Sequence, residues 1–165
     1  MSKESVLTAV RDLVLAWTPS AAGLTQLTRG FAYPYDQVPD PLPDFPTVLV
    51  ERNRARSAFS DAVGSKPSGG VCREELLPIR VDVAWQVVDR DRPNVNRTAE
   101  TAALAWEDEL HALFATYPTL NGAIIKMGEM GSARRVETKV GLRFWFDQEL
   151  FVAAAFFDAL YEVTT

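Results

Sequence analysis

Residues 76–88 read Leu76-Leu77-Pro78-Ile79-Arg80-Val81-Asp82-Val83-Ala84-Trp85-Gln86-Val87-Val88. Ile79, Val81, Val83, Trp85 and Val87 alternate with Arg80, Asp82, Ala84 and Gln86. A period of two places successive side chains on opposite faces of a strand. The first set therefore faces a core, and most of the second is expected to face solvent. A strand of this kind needs a layer to cover its apolar face, and the flanking segments supply it.

Downstream, Ala99, Ala102, Ala103, Trp106, Leu110, Leu113 and Tyr117 recur at helical spacing, which predicts a helix over 97–117 with Asn96 as its cap. Upstream, Val6, Leu7, Val10, Leu13, Val14 and Trp17 predict a first helix over 3–17, capped by Ser2 and stopped at Thr18-Pro19. Between the first helix and the decisive strand, Pro34, Pro39, Pro41 and Pro43 rule out a regular helix or a central strand. Residues 18–45 thus form a proline-rich connector, pinned by Phe31, Tyr33 and Tyr35. Phe45 to Arg52 reads as a strand with Val48 and Val50 on one face and Leu49 on the other. Residues 53–73 contain Gly64-Ser65-Lys66-Pro67-Ser68-Gly69-Gly70 and read as a long flexible loop.

Past the Asn121-Gly122 turn, short strands are expected at 123–127 and 136–146. In the second, Val140, Leu142, Phe144 and Phe146 alternate with Lys139, Gly141, Arg143 and Trp145. The last apolar element, within 147–165, has two readings. Asp147 as a cap, the spacing of Asp158 and Glu162, and the alanine run Ala153–Ala155 favour a helix; a strand is the alternative. The expectation is one domain over 1–165. Its fold class is α+β: a mainly antiparallel sheet of about four strands, one or two helices on one face, and a long loop between the first two strands.

Composition narrows the function. The chain has 165 residues, 47% hydrophobic and 24% charged, which suits a globular domain with its own core. A net charge of −5 is the wrong sign for a dedicated nucleic-acid binder. Two local basic groups stand out, Arg52, Arg54 and Arg56 in one and Arg134, Arg135 and Lys139 in the other; both read first as solvated loops. The single cysteine, Cys72, precludes an intrachain disulfide. Met1-Ser2-Lys3-Glu4 leads straight into the first helix without a signal-peptide core, and no apolar run approaches the length of a membrane span.

No catalytic apparatus is expected. His111 is the only histidine, and no Gly-x-Ser-x-Gly elbow accompanies it. One His and one Cys fall short of a structural zinc site. Asp36, Asp40 and Asp44 are interrupted by prolines and read as solvated acids. The 64–70 segment lacks the Gly-Lys-Ser/Thr ending of a phosphate loop. No catalytic, cofactor or metal residues are therefore assigned. Trp17, Trp85 and Trp106 sit on apolar stripes and read as core. Trp145 falls on the opposite strand face from Phe144 and Phe146: either the sheet is covered on both faces, or Trp145, with Phe151, Phe156 and Phe157, meets another chain.

The order of an N-terminal helix, a proline-rich approach, Phe-Pro-Thr-Val-Leu-Val-Glu at 45–51, a long loop, and Pro-Ile-Arg-Val-Asp-Val-Ala-Trp at 78–85 is similar to that of tail terminator proteins of long-tailed bacteriophages. The helix from 97 and the strand pair after it continue the likeness, which covers about 45–146 and the first helix. What the resemblance implies is a structural virion protein and no enzyme. Such proteins form a six-membered ring that caps the tail tube, stops its growth and joins the head connector at the head-proximal end of the tail, after assembly in the host cytoplasm. The implied partners are other copies of the chain, the tail tube protein, a head–tail connector or head-closure protein, and genomic DNA passing through the lumen. Arg52, Arg54, Arg56, Arg134, Arg135, Trp145, Phe151, Phe156 and Phe157 are the candidate subunit or partner contacts. The apolar C-terminal segment departs from the pattern. Two other readings stand beside it: another head–tail connector component, and a small ligand-binding α+β domain with a pocket under the proline-rich segment.

Overall fold

The computed structural model describes residues 1–53, 67–68, 72–89, 91–92, 94–128 and 136–164. Most of the loop expected over 53–73 lies outside those residues, as do Arg54, Arg56, Arg134 and Arg135. The chain is α+β, and its sheet is larger than the sequence suggests, with seven strands among the described residues.

Helix α1 spans Lys3–Ala16 and buries Val6, Leu7, Val10 and Val14. Ser2 closes a capping box with Ser5, so two otherwise orphaned amides at the helix start are satisfied. Strands follow at Gly30–Ala32 (β1), Thr47–Arg52 (β2), Pro67–Ser68 (β3) and Cys72–Gln86 (β4). Helix α2 spans Arg97–Thr116, and β5, β6 and β7 span Lys126–Met127, Glu137–Trp145 and Gln148–Thr164. The sheet runs β1-β2-β4-β7, with β5 and β6 sharing the far edge of β7. All pairings are antiparallel except β1 on β2.

The terminal apolar element is a strand, and it is central. Cys72 to Gln86 on β4 pair without a break with Thr164 to Leu150 on β7. The signals that favoured a helix lost to burial on both faces: Ala153, Ala155, Phe157, Ala159 and Tyr161 face one core cluster, and Leu150, Val152 and Ala154 face another. A strand covered on both sides carries no polar alternation, so its period is hidden. The three alanines keep the strand thin where both layers press on it, and tertiary packing overrides their helix propensity.

Both helices cover the face made by Val48, Val50, Ile79, Val81, Val83 and the odd-numbered residues of β7. Trp106, Leu110, Leu113 and Phe114 of α2 fill that layer, and Phe114 meets Phe157 at 4.8 Å between ring centroids. Phe157 is therefore core, not a surface contact. Asn96 does not cap α2. Its amide closes the preceding turn instead, accepting from Val88 N and donating to Asp89 O at 3.0 Å each.

The proline-rich segment covers the second face. Phe31, Tyr33, Val38, Leu42 and Phe45 pack on Leu49, Ala84, Trp145, Leu150 and Val152. Gln148 ties it down, its Oε1 accepting from Leu42 N at 2.8 Å and its Nε2 donating to Leu42 O. The segment also supplies β1, which its composition concealed. Asp36 is not a free solvated acid. It accepts from Arg11 Nη1 at 2.6 Å and Ala32 N at 2.7 Å, and although burial opposes ionisation, these donors hold its carboxyl below the ordinary value.

Gly30 marks the closest approach of α1 to the sheet. A Cβ added there would lie 3.2 Å from Val48 Cβ and 3.3 Å from both Arg11 Cγ and Leu15 Cδ2. Gly30→Ala is expected to destabilise the fold by about 1–2 kcal/mol through overpacking. Urea unfolding measures it, and an unchanged midpoint would mean that α1 slides to make room.

Candidate assembly surface

The hairpin that joins β6 to β7 carries the most exposed large apolar side chains of the sheet. On β6, Leu142 pairs with Phe151 and Phe144 with Glu149. Phe151 pairs in turn with Trp85 on β4. Antiparallel partners share a face, so Trp85, Phe151 and Leu142 form one row across three strands on the helix-covered side. The row lies at the end of the sheet where helical cover runs out. Trp85 and Phe151 are half-buried, whereas Leu142 and Phe144 are 48% and 61% exposed. Helix α2 reaches β6 farther back, where Thr138 Oγ1 donates to Glu107 Oε1 at 3.1 Å.

Phe146 turns the hairpin with φ of 52° and is 59% exposed. A left-handed backbone costs a non-glycine residue about 1–2 kcal/mol. Edge-to-face contacts with Trp145 and Tyr33, at centroid distances of 5.1 Å and 6.4 Å, offset part of that cost. The hairpin thus holds an aromatic side chain in water in a backbone conformation that favours glycine.

Of the two readings open for Trp145, cover on both faces of the sheet is the one the structure shows. It is 3% exposed, sealed under Tyr33 and the proline-rich segment. Its Nε1 has no hydrogen-bond partner among the described residues. Phe144 and Phe146, read from the sequence as the buried set, are the exposed ones. Within β6 the apolar period points to the face of Val140, Leu142 and Phe144, but helical cover of that face ends before Leu142 and Phe144, whereas the proline-rich segment covers Trp145.

Behind the hairpin, on the proline-covered face, lies an ionic cluster. Arg143 bonds both Asp82 and Glu51, and Arg80 Nε bonds both oxygens of Asp82 at 3.0 Å and 2.9 Å. Asp82 is fully buried and Glu51 is 5% exposed. The expectation that Asp82 and Ala84 face solvent is therefore overturned: the second face of β4 is also covered. Burial pulls the Arg143 guanidinium down, but the facing carboxylates outweigh it and hold it above its ordinary value. Phe156 is half-buried between two cations, with Arg80 at 5.1 Å and Lys139 at 4.9 Å from its ring centroid.

A further buried carboxylate lies on the helical side. Glu109 of α2 accepts from Trp17 Nε1 at 2.7 Å and from Ser20 N, Ser20 Oγ and Ala21 N at 3.0 Å each. Burial opposes its ionisation, yet these four donors hold the carboxyl below its ordinary value. Its role is to fasten the chain leaving α1 onto α2.

Of the other candidate contacts, Arg52 ends β2, opposite Ile79, and Phe151 and Phe156 are half-buried as described. Arg54, Arg56, Arg134 and Arg135 lie outside the described residues. His111 is exposed on α2. Among the described residues no group of three or more His, Cys, Asp or Glu side chains is placed to hold a metal ion, and no helix is long and apolar enough to cross a membrane. No family model matches the chain, and no curated protein matches it.

Proposed function

We propose that the chain is a structural assembly protein, a ring-forming tail terminator that caps the tail tube of a long-tailed bacteriophage and joins it to the head connector. The observation that supports an assembly role best is the exposed group of Leu142, Phe144 and Phe146 at the hairpin end of a strand that is an edge among the described residues. Large apolar side chains gathered at one place on a surface mark a site where another macromolecule binds. The terminator reading adds the order of elements over 45–146 and identifies that macromolecule as a neighbouring subunit. A ring forms when identical head-to-tail contacts close on themselves.

Light scattering and averaged electron micrographs test it together. The expected result is a ring-shaped particle of about six times 18.3 kDa that seals one end of purified tail tubes. A Leu142→Thr/Phe144→Ser variant is expected to lose the ring while its unfolding free energy stays within about 0.5 kcal/mol of the parent, because both sites are solvent-exposed. A chain that neither forms rings nor binds tubes overturns the reading. Binding to the head connector alone would make it a head-closure component instead.

A further inference from the structure

We propose that β6 also pairs edge to edge with β6 of a second copy of this chain, antiparallel and centred on Leu142. The proposal rests on reading this end of the sheet as a contact surface, but not on the ring or the tube. Among the described residues β6 is a nine-residue strand whose strand partner is β7 alone, and none of them pairs with its other edge. A long edge of that kind flanked by apolar side chains is a template for another strand. The strand best matched to it is its own copy.

The register follows from the side chains. Antiparallel partners share a face, so a two-fold axis must pass through a residue of β6. Three centres keep at least seven of its residues paired. Centring on Val140 sets Leu142 against Thr138 and leaves Phe144 beyond the copy's strand, opposite Val136. Centring on Gly141 sets Lys139 against Arg143 twice, like charge on like. Centring on Leu142 sets Leu142 against Leu142 and Val140 against Phe144 on both sides of the axis. Lys139 then faces Trp145, and Arg143 faces Gly141, which has no side chain. Only this register puts apolar against apolar at every paired helix-side position and like charge directly opposite like charge at none. It covers Leu142 and Phe144, two of the three side chains that the hairpin leaves in water.

An isologous contact closes at two copies and cannot propagate. The pair is therefore a state distinct from a ring: it hides the same side chains until another partner displaces the copy.

Single cysteines on β6 in a Cys72→Ser background, treated with a mild oxidant and run on a denaturing gel, test the register. Leu142→Cys is expected to cross-link to a two-chain species, because residue 142 faces itself across the axis. Gly141→Cys and Val140→Cys are expected to remain single chains. No cross-link at 142, or one at 141 as efficient, overturns the pairing. Leu142→Lys, measured by sedimentation equilibrium without any cysteine change, is expected to weaken self-association more than tenfold by facing two cations across the axis. An unchanged association overturns it too. Rings that form with no cross-link at 142 would sink this pairing and leave the ring reading standing. Cross-linked pairs that never cap a tube would do the reverse.

Discussion

Asp82→Ala is expected to cost about 3–5 kcal/mol, the range for removing one partner of a buried ion pair. A domain of ordinary stability has about 5–15 kcal/mol in all, so a large share of the fold is at stake. The reason is the charge left behind. Asp82 is fully buried and receives bonds from Arg80 and Arg143; without it, two guanidiniums share Glu51 beneath the proline-rich segment. The comparison that separates this account from simple packing is an Arg80→Met/Glu51→Leu/Asp82→Leu/Arg143→Met variant. Replacing a whole buried cluster with apolar groups is often neutral, so this fourfold variant is expected to be more stable than Asp82→Ala. Chemical denaturation of both decides it. Equal losses would mean that shape, not charge, governs this part of the sheet.

Glu109→Gln comes next, at about 2–3 kcal/mol at neutral pH. The substituted side chain would keep an acceptor for Ser20 and Ala21 but would turn an amide donor toward Trp17 Nε1, and bonds to an ionised group are stronger than their neutral counterparts. The sign of its pH dependence follows from a folded carboxyl held below the ordinary 4.5. Its contribution is fully present above that value and is lost as the pH falls through the lowered folded value. Urea midpoints from about pH 7 to about pH 3 should therefore show parent and variant far apart at neutrality and converging in acid. A gap that stays constant to the lowest pH would mean that the Glu109 carboxylate is not what fastens α1 to α2.

Some of this architecture was legible in the sequence. The two amphipathic helices and the parity of β2 and of the inner face of β4 follow from patterns that burial on one side imprints. The pattern fails wherever both sides are covered. Asp82 looked like a solvent-facing residue because Arg143, which bonds it, and Glu51, which shares that arginine, lie on other strands at sequence distances that no local rule spans. β7 looked helical for the same reason, and the hairpin's buried and exposed aromatics were exchanged. β1 was hidden among prolines, since three residues of strand leave no period to read. The exposed aromatics were half legible: they fall within the aromatic-dense stretch around 144–157, but there Trp145 and Phe157 belong to the core and Phe144 and Phe146, with Leu142, to the surface.

The placement of β7 also governs when the chain can fold. Among the described elements it is the last to leave the ribosome, yet it pairs with β4, β5 and β6 and lies beneath α2. Until it emerges, β4 has no partner on one edge, β6 has none, and the apolar side of α2 has only part of its floor. Contacts between residues far apart in sequence form slowly, and intermediates with open strand edges are prone to aggregate. The half of the sheet from β4 to β6 must therefore wait for β7, and the yield in the cell depends on how well that interval is protected.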